Sequence, residues 1–133
     1  MRYLLDTDTV SYLLKNHPVV VRKSALIPTS SWAISAVSAC ELESVRSPRV
    51  ARDSWKARID EFLRAIPVIP FGLEEARKGG EITRYLSEQG APSGPYDILI
   101  AAQAIVSGFT LVTHNTRHFD QIPLLRLEDW ARE

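Results

Sequence analysis

A chain of 133 residues has the length of one domain, which buries about two thirds of its unfolded surface around a single core and needs no disulfide or metal as a staple. With 16 basic and 16 acidic residues the net charge is zero, which excludes a bulk polyanion binder and leaves any nucleic-acid contact to local basic patches. Cys40 is the only cysteine, so an internal disulfide is excluded, and 45% hydrophobic against 24% charged residues excludes global disorder.

In chain order, Arg2 to Leu5 is a short apolar run stopped by Asp6-Thr7-Asp8, and Val10, Leu13 and Leu14 then recur at helical spacing. This reads strand, turn, helix. The acid at position 6 comes too early for a signal peptide, no later apolar run approaches a membrane span, and a cytoplasmic location is expected. A second helix is predicted from Pro18 to about Leu26. Trp32 to Val37 has strand character and leads into Ser38-Ala39-Cys40-Glu41, whose spacing is that of a capping box, so a helix is expected to begin at Ser38. Pro48 separates that helix from a longer one over Val50 to Ala65. Pro67 to Phe71 reads as a third strand whose prolines suit a sheet edge. Leu73 to Gln89 is helical, with Gly79-Gly80 as a hinge or a close-packing point and Gly90 as the stop. Gly94 to Gly108 opens with Pro95, carries Asp97 in its first turn, and is apolar from Ile98 to Val106 except at Gln103, so this helix is expected to be enclosed by its neighbours. Phe109 to Thr113 is a fourth strand, Arg117 to Gln121 a short helical turn, and Leu124 to Leu127 a fifth strand.

Strands alternating with helices predict an α/β fold, a three-layer α/β/α sandwich around a mostly parallel sheet of four to five strands, with residues 1–133 as one domain. In such sheets ligands bind beyond the carboxyl ends of the strands. Asp6 ends strand one, Glu41 opens the helix after strand two, and Asn115 follows strand four, while the loop before the apolar helix must bring Asp97 to the same edge. Each acid also has an ordinary role: Asp6 as a turn or N-cap residue, Glu41 as the capping-box partner of Ser38, Asp97 as a complement to the helix dipole. Their joint placement asks for more, because two unit charges about 4 Å apart repel by about 4 kcal/mol at an effective dielectric near 20. No lysine or arginine is adjacent to any of them in sequence, so a divalent cation is the economical counter-charge, and oxygen-only ligands suit Mg²⁺ or Mn²⁺ better than zinc.

The ordered set Tyr3-Leu4-Leu5-Asp6-Thr7-Asp8, Ile34 to Leu42, Asp97-Ile98-Leu99-Ile100-Ala101-Ala102, Leu111 to Phe119 and Ile122 to Trp130 resembles the PIN-domain ribonucleases, and more closely the VapC-type toxins of toxin-antitoxin pairs. The resemblance implies Mg²⁺- or Mn²⁺-dependent hydrolysis of RNA, with Asp6, Glu41 and Asp97 on the metal-binding positions and Asn115 where many relatives carry a fourth acid. It also implies a homodimer and a cognate VapB-like antitoxin that covers the site. Asp8, at a position often held by asparagine in that family, adds charge to the site or caps the first helix, with the cap as the favoured reading. Arg117 and His118 are candidate RNA contacts, with a surface ion pair as the other reading of Arg117. The run Arg46, Arg49, Arg52, Lys56 and Arg58 is a solvated face or a binding strip, and Trp32 and Tyr96 are core residues or base-stacking ones. Val10, Leu13, Leu14, Val19 and Val20 are candidate interface residues or core. Two rival functions remain: a haloacid-dehalogenase-like phosphatase with Asp6 as nucleophile and Asp8 as general acid, and a non-catalytic PIN-like protein-binding platform.

Overall fold

The computed structural model describes residues 2–44 and 52–133. Its strands are β1 (Tyr3–Leu5), β2 (Trp32–Ser35), β3 (Val68–Ile69), β4 (Thr110–Val112) and β5 (Leu127–Glu128); its helices are α1 (Thr7–Leu14), α2 (Pro18–Ser24), α3 (Ala36–Ser44), α4 (Arg52–Ala65), α5 (Leu73–Glu88) and α6 (Pro95–Ser107). The strands form one parallel sheet in the order β3-β2-β1-β4-β5. Successive strand residues face opposite sides of a sheet, and the two faces are covered by separate apolar clusters. Leu4, Ala33 and Leu111 pack with Ile82 and Leu86 of α5 and Ile98, Ile100 and Ala101 of α6. Leu5, Ile34 and Val112 pack with Val10, Leu42, Ile59, Phe62 and Trp130. The result is the expected three-layer α/β/α arrangement.

The most enclosed helix is α6, with Ile100, Ala101, Ala102, Gln103 and Ala104 all buried. Pro95 lies in its first turn, and Gly108 ends it in the left-handed conformation (φ 72°) that glycine adopts without steric cost. Gln103, its one polar interior residue, is fully buried and used: its Oε1 accepts from Ser35 Oγ at 3.0 Å and its Nε2 donates to the Pro70 carbonyl at 3.4 Å. That amide ties α6 to the end of β2 and to the chain leaving β3. α5 runs unbroken through Gly79-Gly80, and a Cβ placed on Gly79 would meet Leu99 Cδ2 at 3.4 Å, so this glycine is a close-packing point between α5 and α6 and not a hinge.

Several local expectations shift. β2 stops at Ser35 and α3 begins at Ala36, two residues before the expected start, because Ser35 Oγ accepts the Val37 N–H at 3.0 Å and takes the position of a cap. Ser38 is therefore buried inside the helix, and its hydroxyl has no partner among the described residues, so the Ser38–Glu41 capping box does not form. The cap of α1 is Asp6, not Asp8. β5 falls at Leu127–Glu128 because Leu124 turns the chain with φ 67°. Val10 and Val20 are fully buried in the chain's own core and are not interface residues, and Trp32 is a core residue packed on Trp130 at 5.6 Å between ring centroids. β3, flanked by Pro67 and Pro70, is an edge strand as expected. The break expected at Pro48, the first turn of the helix expected from Val50, and Arg46 and Arg49 lie outside the described residues.

Candidate active site

The strand order reverses direction between β1 and β4: the chain leaves β1 for β2 on one side and returns through β4 on the other. A crevice beyond the carboxyl ends of those two strands is where an open α/β sheet offers a binding site. Asp6 sits there. Its N–H donates to the Val112 carbonyl at 3.0 Å, extending the β1–β4 ladder by one residue before the chain turns into α1. Its carboxylate then caps α1, accepting from the Thr9 N–H at 2.8 Å, while Thr9 Oγ1 donates to the Val112 carbonyl at 3.1 Å. The residue is only 5% exposed. Burial raises its pKa from 3.8 to about 6; hydrogen bonds from Thr113 and Thr9 act against that rise, and the Asp8 charge adds to it.

The other candidates ring the same edge. Glu41, half-buried on α3, accepts from Thr7 Oγ1 at 2.5 Å, so α3 is fastened to the residue that follows Asp6. Asp8, in the first turn of α1, accepts from Asn115 Nδ2 at 2.6 Å, which joins α1 to the turn after β4. That turn is set by the Asn115 N–H donating to Thr113 Oγ1 at 3.1 Å, and by the His118 N–H donating to the Asn115 carbonyl at 3.0 Å. Asp97, one turn into α6, pairs through Oδ2 with His118 Nδ1 at 3.2 Å. Bonds and backbone thus link Glu41, Thr7, Asp6, Asp8, Asn115, His118 and Asp97 in one continuous series across four chain segments. Each acid has its own hydrogen-bonding partner. Among the described residues, no three His, Cys, Asp or Glu side chains stand close enough together to share one ion.

Thr7, Thr113 and the Asp97–His118 pairing were not anticipated. The available signal was positional: Thr7 and Thr113 each stand within two residues of a strand's carboxyl end, where a short hydroxyl can reach a neighbouring loop. Arg117 and His118 are exposed on a single helical turn (Thr116–His118), where a ligand or a surface partner can reach both side chains from solvent. Both line a cavity of about 350 Å³ whose wall includes Asp97. Of the basic run, Arg58 donates to the Leu14 carbonyl at 2.6 Å and braces α1 against α4. Tyr96 is half exposed beside Asp97. The turn after β4, Thr113-His114-Asn115-Thr116, offers no acid for the later metal motif that a haloacid-dehalogenase-like phosphatase requires.

The PIN domain model matches residues 3–125. The tRNA(fMet)-specific endonuclease VapC of Salmonella typhimurium is 33% identical over 131 residues, covering 98% of this chain and 99% of that protein. Ribonuclease VapC2 of Rickettsia felis is 33% identical over 134 residues, covering 99% and 100%. Among solved structures, DNA-bound VapBC from Salmonella typhimurium superposes with a TM-score of 0.89 at 33% identity, over 98% of both chains. VapBC2 from Rickettsia felis, bound to a DNA fragment from its promoter, superposes with a TM-score of 0.88 at 32% identity, over 98% of this chain and 99% of that one. With a matching family model over nearly the whole chain and relatives of this identity at full length, the chain belongs to the PIN-domain family and, within it, to the VapC ribonucleases.

Proposed function

We propose that this chain is a ribonuclease toxin that hydrolyses RNA phosphodiester bonds at the carboxyl edge of β1 and β4, using a divalent cation that Asp6 would hold. Glu41 and Asp97 would turn to it from their present Thr7 and His118 partners, since no three acids among the described residues share one point as they stand. The observation that carries the site is Asp6: a buried carboxyl at the switch point of the sheet, with Asp8 beside it and its pKa raised to about 6. A structural carboxylate is normally settled by a cation or by enough hydrogen bonds to hold its pKa low. The hydrogen bonds from Thr9 and Thr113 do not offset the burial of Asp6, and a hard cation, which takes oxygen ligands, would favour its charged form. VapC nucleases of the PIN family are divalent-metal dependent as a class, and this oxygen-only donor set fits Mg²⁺ or Mn²⁺. Such a cation lowers the pKa of a coordinated water and stabilises charge developing on the phosphate.

The chain's own residues do the rest. Asp6 is fixed by the Thr9 N–H, Glu41 by the Thr7 hydroxyl and Asp97 by His118, so the acids are oriented before substrate arrives. Asn115 holds the Asp8 carboxylate and stands at the fourth acidic position as a neutral, weaker ligand. Arg117 and His118 meet the RNA backbone, which compensates for a chain whose net charge is zero.

The partner is a VapB-like antitoxin, as in the VapBC complexes this chain superposes on, and the toxin is a homodimer acting in the cytoplasm, where its RNA is found. No helix of the described residues is long and apolar enough to cross a membrane. The test is cleavage of a labelled pool of transfer and ribosomal RNAs by the chain purified free of any partner through unfolding and refolding, in Mg²⁺, Mn²⁺ and EDTA. Cutting that requires the metal and disappears in Asp97→Asn is expected. Cutting that survives EDTA and the substitution equally would remove these acids from the chemistry; a refolded chain that binds metal and cuts nothing in the pool would point to a narrow RNA target or to phosphatase chemistry, and one that neither binds metal nor cuts would turn the reading towards a non-catalytic platform.

A further inference from the structure

The turn bearing Arg117 and His118 has a cavity on each side, and the two cavities differ in chemistry. The one on the Asp97 side, about 350 Å³, has an apolar floor of Leu86, Ala91 and Pro92, with Gln121 on its rim. Ser93 Oγ donates to the His118 carbonyl at 3.4 Å, which joins the loop before α6 to the turn and closes that wall. The cavity on the other side, about 290 Å³, is lined by His114, Asn115, Thr116 and Arg132 and has no aliphatic side chain apart from the stems of its polar residues. Arg117 and His118 belong to both.

We propose that single-stranded RNA bends over the Arg117–His118 turn, with one unpaired nucleobase lodged in the Asp97-side cavity and a backbone phosphate held in the Arg132-side cavity. This rests on the ribonuclease reading and assigns the substrate groups on either side of the turn. A base has flat apolar faces and a polar edge, which matches an apolar floor under a rim of amide, imidazole and guanidinium; unstacked bases are recognised by stacking on such planes and by hydrogen bonds to their edges. The size agrees, since ligand cavities begin at roughly 300 Å³ and this one has room for a single nucleoside but not for a duplex. Charge separates the two roles. To the shared Arg117 and His118 the second cavity adds Arg132 and His114, which pair with Asp129 at 3.9 and 3.1 Å, and no carboxylate lines the cavity itself, whereas the wall of the first includes the Asp97 carboxylate. Arg132 and Gln121 thereby acquire functions through the cavities they line.

The experiment uses RNAs randomised around the cleavage site, with the wild type, Gln121→Ala, Ala91→Trp and Arg132→Ala compared. The wild type is expected to prefer particular bases at one flanking position, and Gln121→Ala to flatten that preference by on the order of tenfold in relative kcat/KM. Ala91→Trp, which fills the floor, is expected to lower kcat/KM on every sequence by on the order of tenfold. Arg132→Ala is expected to weaken all sequences alike and to reduce the slope of log affinity against log salt by about 0.7, the loss of one phosphate contact to a single strand. Binding of labelled single-stranded RNA to the same variants in an Asp6→Asn background reads both cavities where nothing is cut, so failure of the nuclease reading and failure of this one are separable. A base preference untouched by both Gln121→Ala and Ala91→Trp in folded protein, or an unchanged salt slope in Arg132→Ala, overturns the assignment.

Discussion

Asp6→Asn should stabilise the metal-free protein at neutral pH while abolishing its activity. The buried Asp6 carboxyl has a pKa near 6 in the folded chain against 3.8 for the free group, a rise of about two units, worth about 3 kcal/mol at about 1.4 kcal/mol per unit. Because the folded pKa is the higher one, the folded chain holds the proton more tightly than the unfolded chain does. The contribution of this group is therefore fully present below about pH 3.8 and is lost as pH rises through about 6. Asparagine at position 6 is neutral throughout and still offers an oxygen to the Thr9 N–H, and it caps helices as well as aspartate does. In EDTA, urea denaturation should show the two proteins with a small gap at pH 3.5 and Asp6→Asn ahead by about 3 kcal/mol at pH 7.5. Other carboxylates titrate over the same range, Glu81 with its pKa lowered by Lys78 among them, but they are common to both proteins and cancel in the difference. A divalent cation should nearly close the gap at 100 times its Kd, where it adds about 2.7 kcal/mol to the protein that binds it and nothing to one that does not, and should reverse the order at about 1,000 times its Kd, where it adds about 4.1 kcal/mol. An equal gap at both pH values would refute the argument from burial, and an unchanged wild-type midpoint on adding Mg²⁺ or Mn²⁺ would refute the ligand role.

Asn115→Asp sets a carboxylate against the Asp8 oxygen that Asn115 now donates to at 2.6 Å; the metal-free protein should lose about 1–3 kcal/mol and the cation concentration needed for half-maximal cleavage should fall, measured by denaturation in EDTA and by Mg²⁺ titration. Gln103→Leu removes the acceptor for Ser35 and the donor to Pro70, and should cost about 1–3 kcal/mol in urea denaturation without altering the cation requirement. Gly79→Ala places a methyl at ordinary contact distance from Leu99 and removes a glycine from a helix interior, so thermal denaturation should show a gain of up to about 1 kcal/mol; a loss of that size would mean that α5 and α6 leave no room.

What could be read from the sequence was whatever is set by residues close together along the chain. The alternation of strand and helix, the edge position of the proline-flanked third strand, and the Pro95 and Gly108 ends of α6 are local patterns, and the structure keeps them. The errors came where two local patterns competed. Ser38-x-x-Glu41 is a capping pattern, but Ser35 lies nearer the end of β2 and capped first, which left Ser38 one turn inside the helix. Asp6 and Asp8 were equally good caps by spacing; the choice was made by the Asp6 N–H bonding to Val112, a contact between residues more than a hundred positions apart. The fifth strand slid by three residues because Leu124, whose sequence gives no hint of it, takes a left-handed conformation.

The site shows the same division more sharply. That Asp6, Glu41 and Asn115 belong at one sheet edge followed from the parallel topology, because every strand's carboxyl end faces the same way, whereas Asp97 depended on the loop before α6 to bring it there. Their partners did not follow: Glu41 takes its hydrogen bond from Thr7, Asp8 from Asn115 and Asp97 pairs with His118, at separations of 34, 107 and 21 residues. These partners explain how a chain with no lysine or arginine beside its acids keeps several carboxylates at one edge. Hydroxyl, amide and imidazole groups satisfy them singly, while Asp6, the most buried, is left with its charged form disfavoured. The cations that the sequence did supply, Arg117 and Arg132, stand further out along the same edge, where they line the cavities beside the acids. An acidic centre flanked by basic residues is the arrangement that a metal ion and a polyanion at adjacent points require, and it arises here in a chain whose charges sum to zero.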